Sequence, residues 1–90
     1  MAKRITIKVD GRVQGVLFRR SAQIQALALG LTGLARNEGD GSVAMVAEGD
    51  AEALERFLAW CRTGSPFANV TSVVAEWQTA TGEFERFEIL

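Results

Sequence analysis

Near the start of the chain, apolar and polar side chains alternate. Ile5, Ile7 and Val9 fall on one side, and Arg4, Thr6, Lys8 and Asp10 on the other. A period of two predicts a half-buried strand with one face turned inward. Gly11 to Gly15 interrupts it. Beyond that break the period lengthens. Phe18, Ala22, Ala26 and Leu29 recur near helical spacing, and Ile24, Leu27 and Ala28 widen the apolar stripe. Gly30 is a natural residue to stop that helix. Leu31 to Arg36 reads as a second strand, Asn37 to Gly41 as a turn cluster and Ser42 to Glu48 as a third strand, the two strands forming a hairpin. Asp50 stands where an N-cap belongs. Leu54, Phe57, Leu58 and Cys61 then follow the i, i+3, i+4, i+7 spacing of a packed helix. Gly64-Ser65-Pro66 ends it, Val70 to Trp77 reads as a fourth strand, and Phe84 to Leu90 as a short fifth.

The order β-α-β-β-α-β with a terminal addition predicts an α+β fold. It is the ferredoxin-like sandwich, an antiparallel sheet with two helices on one face and here a short extra C-terminal strand. Residues 1–90 read as one domain, with no linker and no repeat beyond the two-fold βαβ echo. The architecture hosts unrelated functions and decides none of them.

Composition narrows the chemistry more than the fold does. The chain has no histidine, which removes the commonest general base and the commonest metal ligand. Its single cysteine excludes an intrachain disulfide, fits a reducing compartment, and falls on the apolar stripe of the second helix as a small core residue. No metal and no cofactor are expected. No apolar run nears the ~18 residues of a spanning helix. Met1-Ala2-Lys3-Arg4 leads straight into a strand without the apolar core of a signal peptide. A soluble cytoplasmic protein is expected, a free-standing monomer with no membrane partner.

Charge is uneven. Gly11 to Arg36 holds Arg12, Arg19, Arg20 and Arg36 and no acid, so a +4 stretch sits in a chain of net charge −1. A local anion site and a chance cluster of arginines both fit that distribution. The segment Asp10 to Arg20 sharpens the choice. It runs from a strand through a glycine-bounded loop into a helix start, where successive backbone N–H groups and the positive end of the helix dipole make an anion cradle. Arg19 and Arg20 fall in the first helical turn, where each cation opposes the dipole by ~0.3–1 kcal/mol. A bound anion reverses that penalty. Extension of both side chains into solvent makes it small.

Other machinery is missing. There is no G-x-x-x-x-G-K-[ST] loop. Ser21 has no histidine to activate it. Glu38 and Asp40 fit plain turn chemistry, and Trp60 and Trp77 fit core or boundary positions. Arginine, backbone N–H groups and neutral side chains remain. Such a set stabilises a phosphoryl group but makes no strong nucleophile. Phosphate monoesters demand up to ~10²¹-fold acceleration. An acyl phosphate, whose carboxylate departs without protonation, suits the set better.

Gly11-Arg-Val-Gln-Gly-Val-Leu-Phe-Arg19 resembles the acylphosphatase signature G-R-V-Q-G-V-x-F-R. Leu29-Gly-Leu-Thr-Gly-Leu-Ala-Arg-Asn37 resembles the family's second block. Gly41-Ser-Val43, Glu48-Gly49, Gly64-Ser-Pro66 and Phe87-Glu-Ile89 extend the likeness over nearly the whole chain. The resemblance implies hydrolysis of a small acyl phosphate. It makes Arg19 the catalytic phosphate-binding arginine, completes the cradle with backbone N–H groups of Arg12, Val13, Gln14, Gly15 and Val16, and has Asn37 hold the attacking water, whose proton passes to the phosphate. Leu34 departs from the tryptophan common in that family. A binding module that keeps the cradle without turnover is the alternative. Its RNA-binding form is disfavoured by the lack of tyrosine and of an aromatic RNP1-like string, so no nucleic-acid partner is expected.

Overall fold

Seven elements follow the order read from the sequence: β1 (Ala2–Arg12), α1 (Phe18–Ala28), β2 (Thr32–Asn37), β3 (Val43–Asp50), α2 (Ala51–Cys61), β4 (Asn69–Thr79) and β5 (Phe87–Ile89). They are taken from a computed structural model that describes residues 2–90. The sheet order is β4-β1-β3-β2-β5. β1 pairs antiparallel with β3 and β4, and β2 antiparallel with β3. β5 joins β2 in parallel, so the short terminal strand makes the sheet mixed rather than wholly antiparallel.

The alternation in β1 sets the layers. Ile5, Ile7 and Val9 are fully buried, and their register partners Ala47, Met45 and Val43 face the same side. Both helices cover that side, α1 over β2 and β5, α2 over β1 and β3. Phe18, Ala22 and Ala26 from α1 meet Leu54, Phe57 and Cys61 from α2 above the sheet. The Phe57 ring lies 5.8 Å from that of Phe87 and 6.1 Å from that of half-buried Trp60. Trp77 sits opposite Ile5 on the edge strand, where helix cover is thin, and is 45% exposed. Among the described residues, no helix is long and apolar enough to cross a membrane.

Helix ends differ from the expectation at one point. α1 stops as read: Gly30, at φ 71°, donates to the Leu27 carbonyl and Leu31 to that of Ala26, the paired bonds of a glycine-terminated helix. Asp50 occupies the N-cap of α2 with extended backbone, but its side chain makes no capping bond. Glu52 supplies the negative charge of that first turn instead.

β5 is shorter than the expected Phe84–Leu90 stretch because the chain between β4 and β5 has another task. It crosses from one sheet edge to the other on the face away from the helices, and Glu48 anchors the crossing. That buried carboxylate accepts from the amides of Thr81 (2.9 Å) and Gly82 (3.0 Å) and from Arg4 Nη1 (3.1 Å), and the Arg4 guanidinium lies over the Phe84 ring. Burial pushes the Glu48 carboxyl up, but the two amides, the Thr81 hydroxyl and Arg4 together hold it below its ordinary value. A carboxyl more acidic in the folded state binds its proton later than the unfolded chain does, so its stabilisation is complete above pH ~4.3 and is lost as pH falls further. Glu48→Gln is therefore expected to cost about 2 kcal/mol at pH 7, roughly 10 °C in Tm. Melting curves of the two proteins should converge toward pH 3. A gap independent of pH would show that the charge does not matter.

Candidate active site

β1 and β2 both run antiparallel to β3, and β5 runs parallel to β2, so all three end at the same edge of the sandwich. The β1–α1 loop, the last residue of β2 and the last residues of β5 meet there. Gly11 lies one residue before the end of β1. The β1–β4 register shifts between Asp10 and Gly11, and Gly11 adopts φ 123°. A Cβ there would run into the Asn69 carbonyl and the Thr71 amide, so this bulge requires glycine.

Beyond the bulge, the loop is pinned at alternate points. Val13 and Val16 are buried in the core, which holds Gly15 between them at the surface with φ 73°. Buried Ser65 donates its hydroxyl to the Val16 carbonyl at 2.7 Å, fastening the loop to the α2–β4 connection. The Gln14 amide donates to the carbonyls of Glu38 (2.8 Å) and Ser42 (2.9 Å), fastening it to the β2–β3 turn. In that turn the Ser42 hydroxyl and amide, with Lys8, hold the Asp40 carboxyl well below the usual carboxylate range.

α1 then begins without the usual devices. Leu17 occupies its N-cap in the left-handed region, no side chain caps it, and its first turn has no acid. Its first amides have no partner inside the helix. Arg19 and Arg20 stand there instead. Half-buried Arg19 donates from Nη1 to the main-chain oxygen of Leu90, and Gln23 donates to the Phe87 carbonyl at 3.0 Å. These bonds join α1 to the end of β5. Among the described residues Arg19 has no Asp or Glu partner within 4.0 Å, unlike Arg4, Arg36, Arg56 and Arg86.

A cavity of about 260 Å³ opens at this junction, lined by Val13, Gly15, Leu17, Phe18, Arg19, Arg20 and Ile89. Its size suits a small ligand, since drug-sized sites run to ~300–1,000 Å³. Two arginines and no Asp or Glu side chain line it, so its side chains favour an anion. A larger hollow of about 670 Å³ lies on the open sheet face, but its cation, Lys8, is neutralised by Asp40 at 2.9 Å.

Of the residues proposed from sequence, Arg19, Val13 and Gly15 line the cavity. Gln14 and Val16 do not, and their bonds fasten the loop to the β2–β3 turn and the α2–β4 connection. Arg12 is exposed in the last position of β1, opposite Asn69, and its side chain is not part of the lining. Asn37 ends β2 opposite Val43, on the helix-covered side, and adjoins the Glu38 carbonyl that Gln14 grips. It is not in the lining of the cavity. Leu17 and Ile89 also line the cavity and went unread in the sequence. Nothing in the local pattern signals Ile89, because only the parallel docking of β5 brings it there. Among the described residues, no three His, Cys, Asp or Glu side chains are grouped to hold a metal. Cys61 is buried, and burial pushes its thiol up to about 12, so it offers no thiolate.

The family model described as Acylphosphatase matches residues 5–89. The chain is 52% identical over 88 residues to an acylphosphatase of Methylococcus capsulatus, covering 98% of this chain and 96% of that one. It is 51% identical to an acylphosphatase of Pelotomaculum thermopropionicum, over 96% and 94% of the two chains. The crystal structure of an acylphosphatase from Bacillus subtilis superposes with a TM-score of 0.94 at 39% identity, covering 98% of each chain.

Proposed function

The chain belongs to the acylphosphatase family, and from that premise we propose that it hydrolyses small acyl phosphates with Arg19, a backbone cradle and Asn37. The observation that carries this reading is the convergence of Arg19, Gly15 and the uncapped start of α1 on one small cavity with no Asp or Glu side chain in its lining. In this reading the phosphoryl oxygens lie against the Arg19 guanidinium and the N–H groups from Arg12 to Val16. Asn37 holds a water through its side-chain amide, which orients without acting as acid or base. The water oxygen bonds to phosphorus, the bond from phosphorus to the acyl oxygen breaks, and its electron pair leaves on the carboxylate. The proton of the water passes to a phosphoryl oxygen. Fixed donors aimed at the developing charge and a positioned nucleophile carry the rate.

No step in this scheme uses a metal. Purified protein is expected to release phosphate from acetyl and benzoyl phosphate at the same rate with and without EDTA. A rate lost in EDTA and restored by a divalent cation would overturn the scheme. Thermal stabilisation by inorganic phosphate without turnover would support a binding module instead. The same reading has the protein act as a cytoplasmic monomer without nucleic-acid or membrane partners. A net charge of −1, which exerts no global pull on polyanions, supports that part.

A further inference from the structure

Leu17 has no structural reason to be leucine. It is the one non-glycine residue among those described with positive φ, at φ 63° and ψ 21°. Glycine and asparagine take that conformation with less strain. It fills a helix N-cap, a position where Ser, Thr, Asp or Asn would satisfy a free amide, and it satisfies none. Its side chain is 66% exposed, although its neighbours Val16 and Phe18 are buried. Backbone strain, a missing cap and an exposed apolar side chain coincide at one residue, and that residue lines the cavity beside Arg19. Strain of this kind gathers where a ligand is held.

The cavity has two ends of different chemistry. Arg19 and Arg20 supply charge, and Leu17 and Ile89 supply an apolar wall. An acyl phosphate is divided in the same way, with a dianionic phosphoryl group at one end and the acyl substituent at the other. We infer that Leu17, with Ile89, is the contact for the acyl group, and that the site favours acyl phosphates with a bulky apolar acyl group, such as an aromatic ring or branched alkyl chain, over acetyl phosphate. This rests on the reading of the cavity as the phosphoryl site. Buried Val16 and Phe18 hold the backbone on either side, so the position from which the leucine side chain meets the ligand is set before binding.

The test compares kcat/KM for benzoyl phosphate with that for acetyl phosphate in the unaltered enzyme, in Leu17→Asn and in Leu17→Gly. Both replacements tolerate positive φ, so both variants should fold, with melting temperatures at or above that of the parent. The inherent reactivities of the two substrates cancel when the ratio is compared between proteins. The ratio is expected to fall about tenfold in both variants, within the range by which apolar pockets discriminate, and the loss should appear in KM for benzoyl phosphate. A ratio unchanged within twofold, or equal losses on both substrates, overturns the assignment. Failure of the unaltered enzyme to hydrolyse either substrate is a different result. It removes the underlying reading, and this inference with it.

Discussion

Arg19→Ala is expected to lower kcat/KM for acetyl phosphate about 10³-fold while the protein stays folded. The side chain lines the cavity, and among the described residues it has no Asp or Glu partner within 4.0 Å. In phosphoryl transfer the charge spreads over three oxygens, and an arginine placed on them is worth ~10³–10⁵ in rate, against ~10²–10³ for one oxyanion donor. The lower end of the first range applies because the loop amides remain in the variant. Arg19→Lys keeps the charge but loses the planar fork that grips two oxygens, so about 10²-fold should still be lost. The stability cost is small. The bond to the Leu90 main-chain oxygen contributes about 1 kcal/mol. Removing a cation from the start of α1 returns ~0.3–1 kcal/mol of dipole repulsion. Melting curves should therefore shift by only a few degrees, and inorganic phosphate, expected to stabilise the parent, should no longer do so in the variant. A folded Arg19→Ala enzyme within tenfold of the parent would remove this residue from the mechanism.

What could be read from the sequence was what depends on near neighbours. The period of two through Ile5, Ile7 and Val9 and the stripe through Phe18, Ala22 and Ala26 both lie in the core as expected. The placement of Arg19 where a glycine-bounded loop enters a helix was legible for a related reason. Glycine spacing, charge clustering and a helix start all fall within a dozen residues, and they agree with one another. The features that escaped depend on partners far along the chain. Glu48 reaches Thr81 and Gly82 more than thirty residues on, and that clamp decides where β5 begins. Parallel docking of β5 beside β2 is invisible in a three-residue strand. The left-handed backbone of Leu17 follows from Val16 and Phe18 being drawn into the core on either side, which no local propensity for leucine signals. Asn37 lies between these cases. Its chain position reads as a turn, and only the resemblance gave it a role. The β2–β3 register then puts it opposite Val43, on the side of the sheet where the loop lies.

Asn37→Ala is expected to lower kcat about 10²-fold with KM changed less than threefold. The expectation follows from where the residue sits. It ends β2 at the same sheet edge as Arg19, it is exposed, and it does not form the cavity wall. In the proposed mechanism a side chain outside the wall adds little to substrate binding and acts by placing the water, and misplacing a reacting group by about 1 Å can cost ~10²-fold. The two conservative variants separate the ways this could fail. Asn37→Gln keeps the amide and adds one methylene, so it should lose nearly as much as alanine if position matters. Asn37→Asp keeps the shape but sets a carboxylate beside the phosphoryl group, where like charges repel, and it should lose more. The backbone of this residue is held independently of its side chain, through the β2–β3 ladder and the grip of Gln14 on the Glu38 carbonyl, so all three proteins should melt close to the parent. If KM rises and kcat holds, Asn37 binds substrate rather than placing water, and the nucleophile must be oriented by the loop itself.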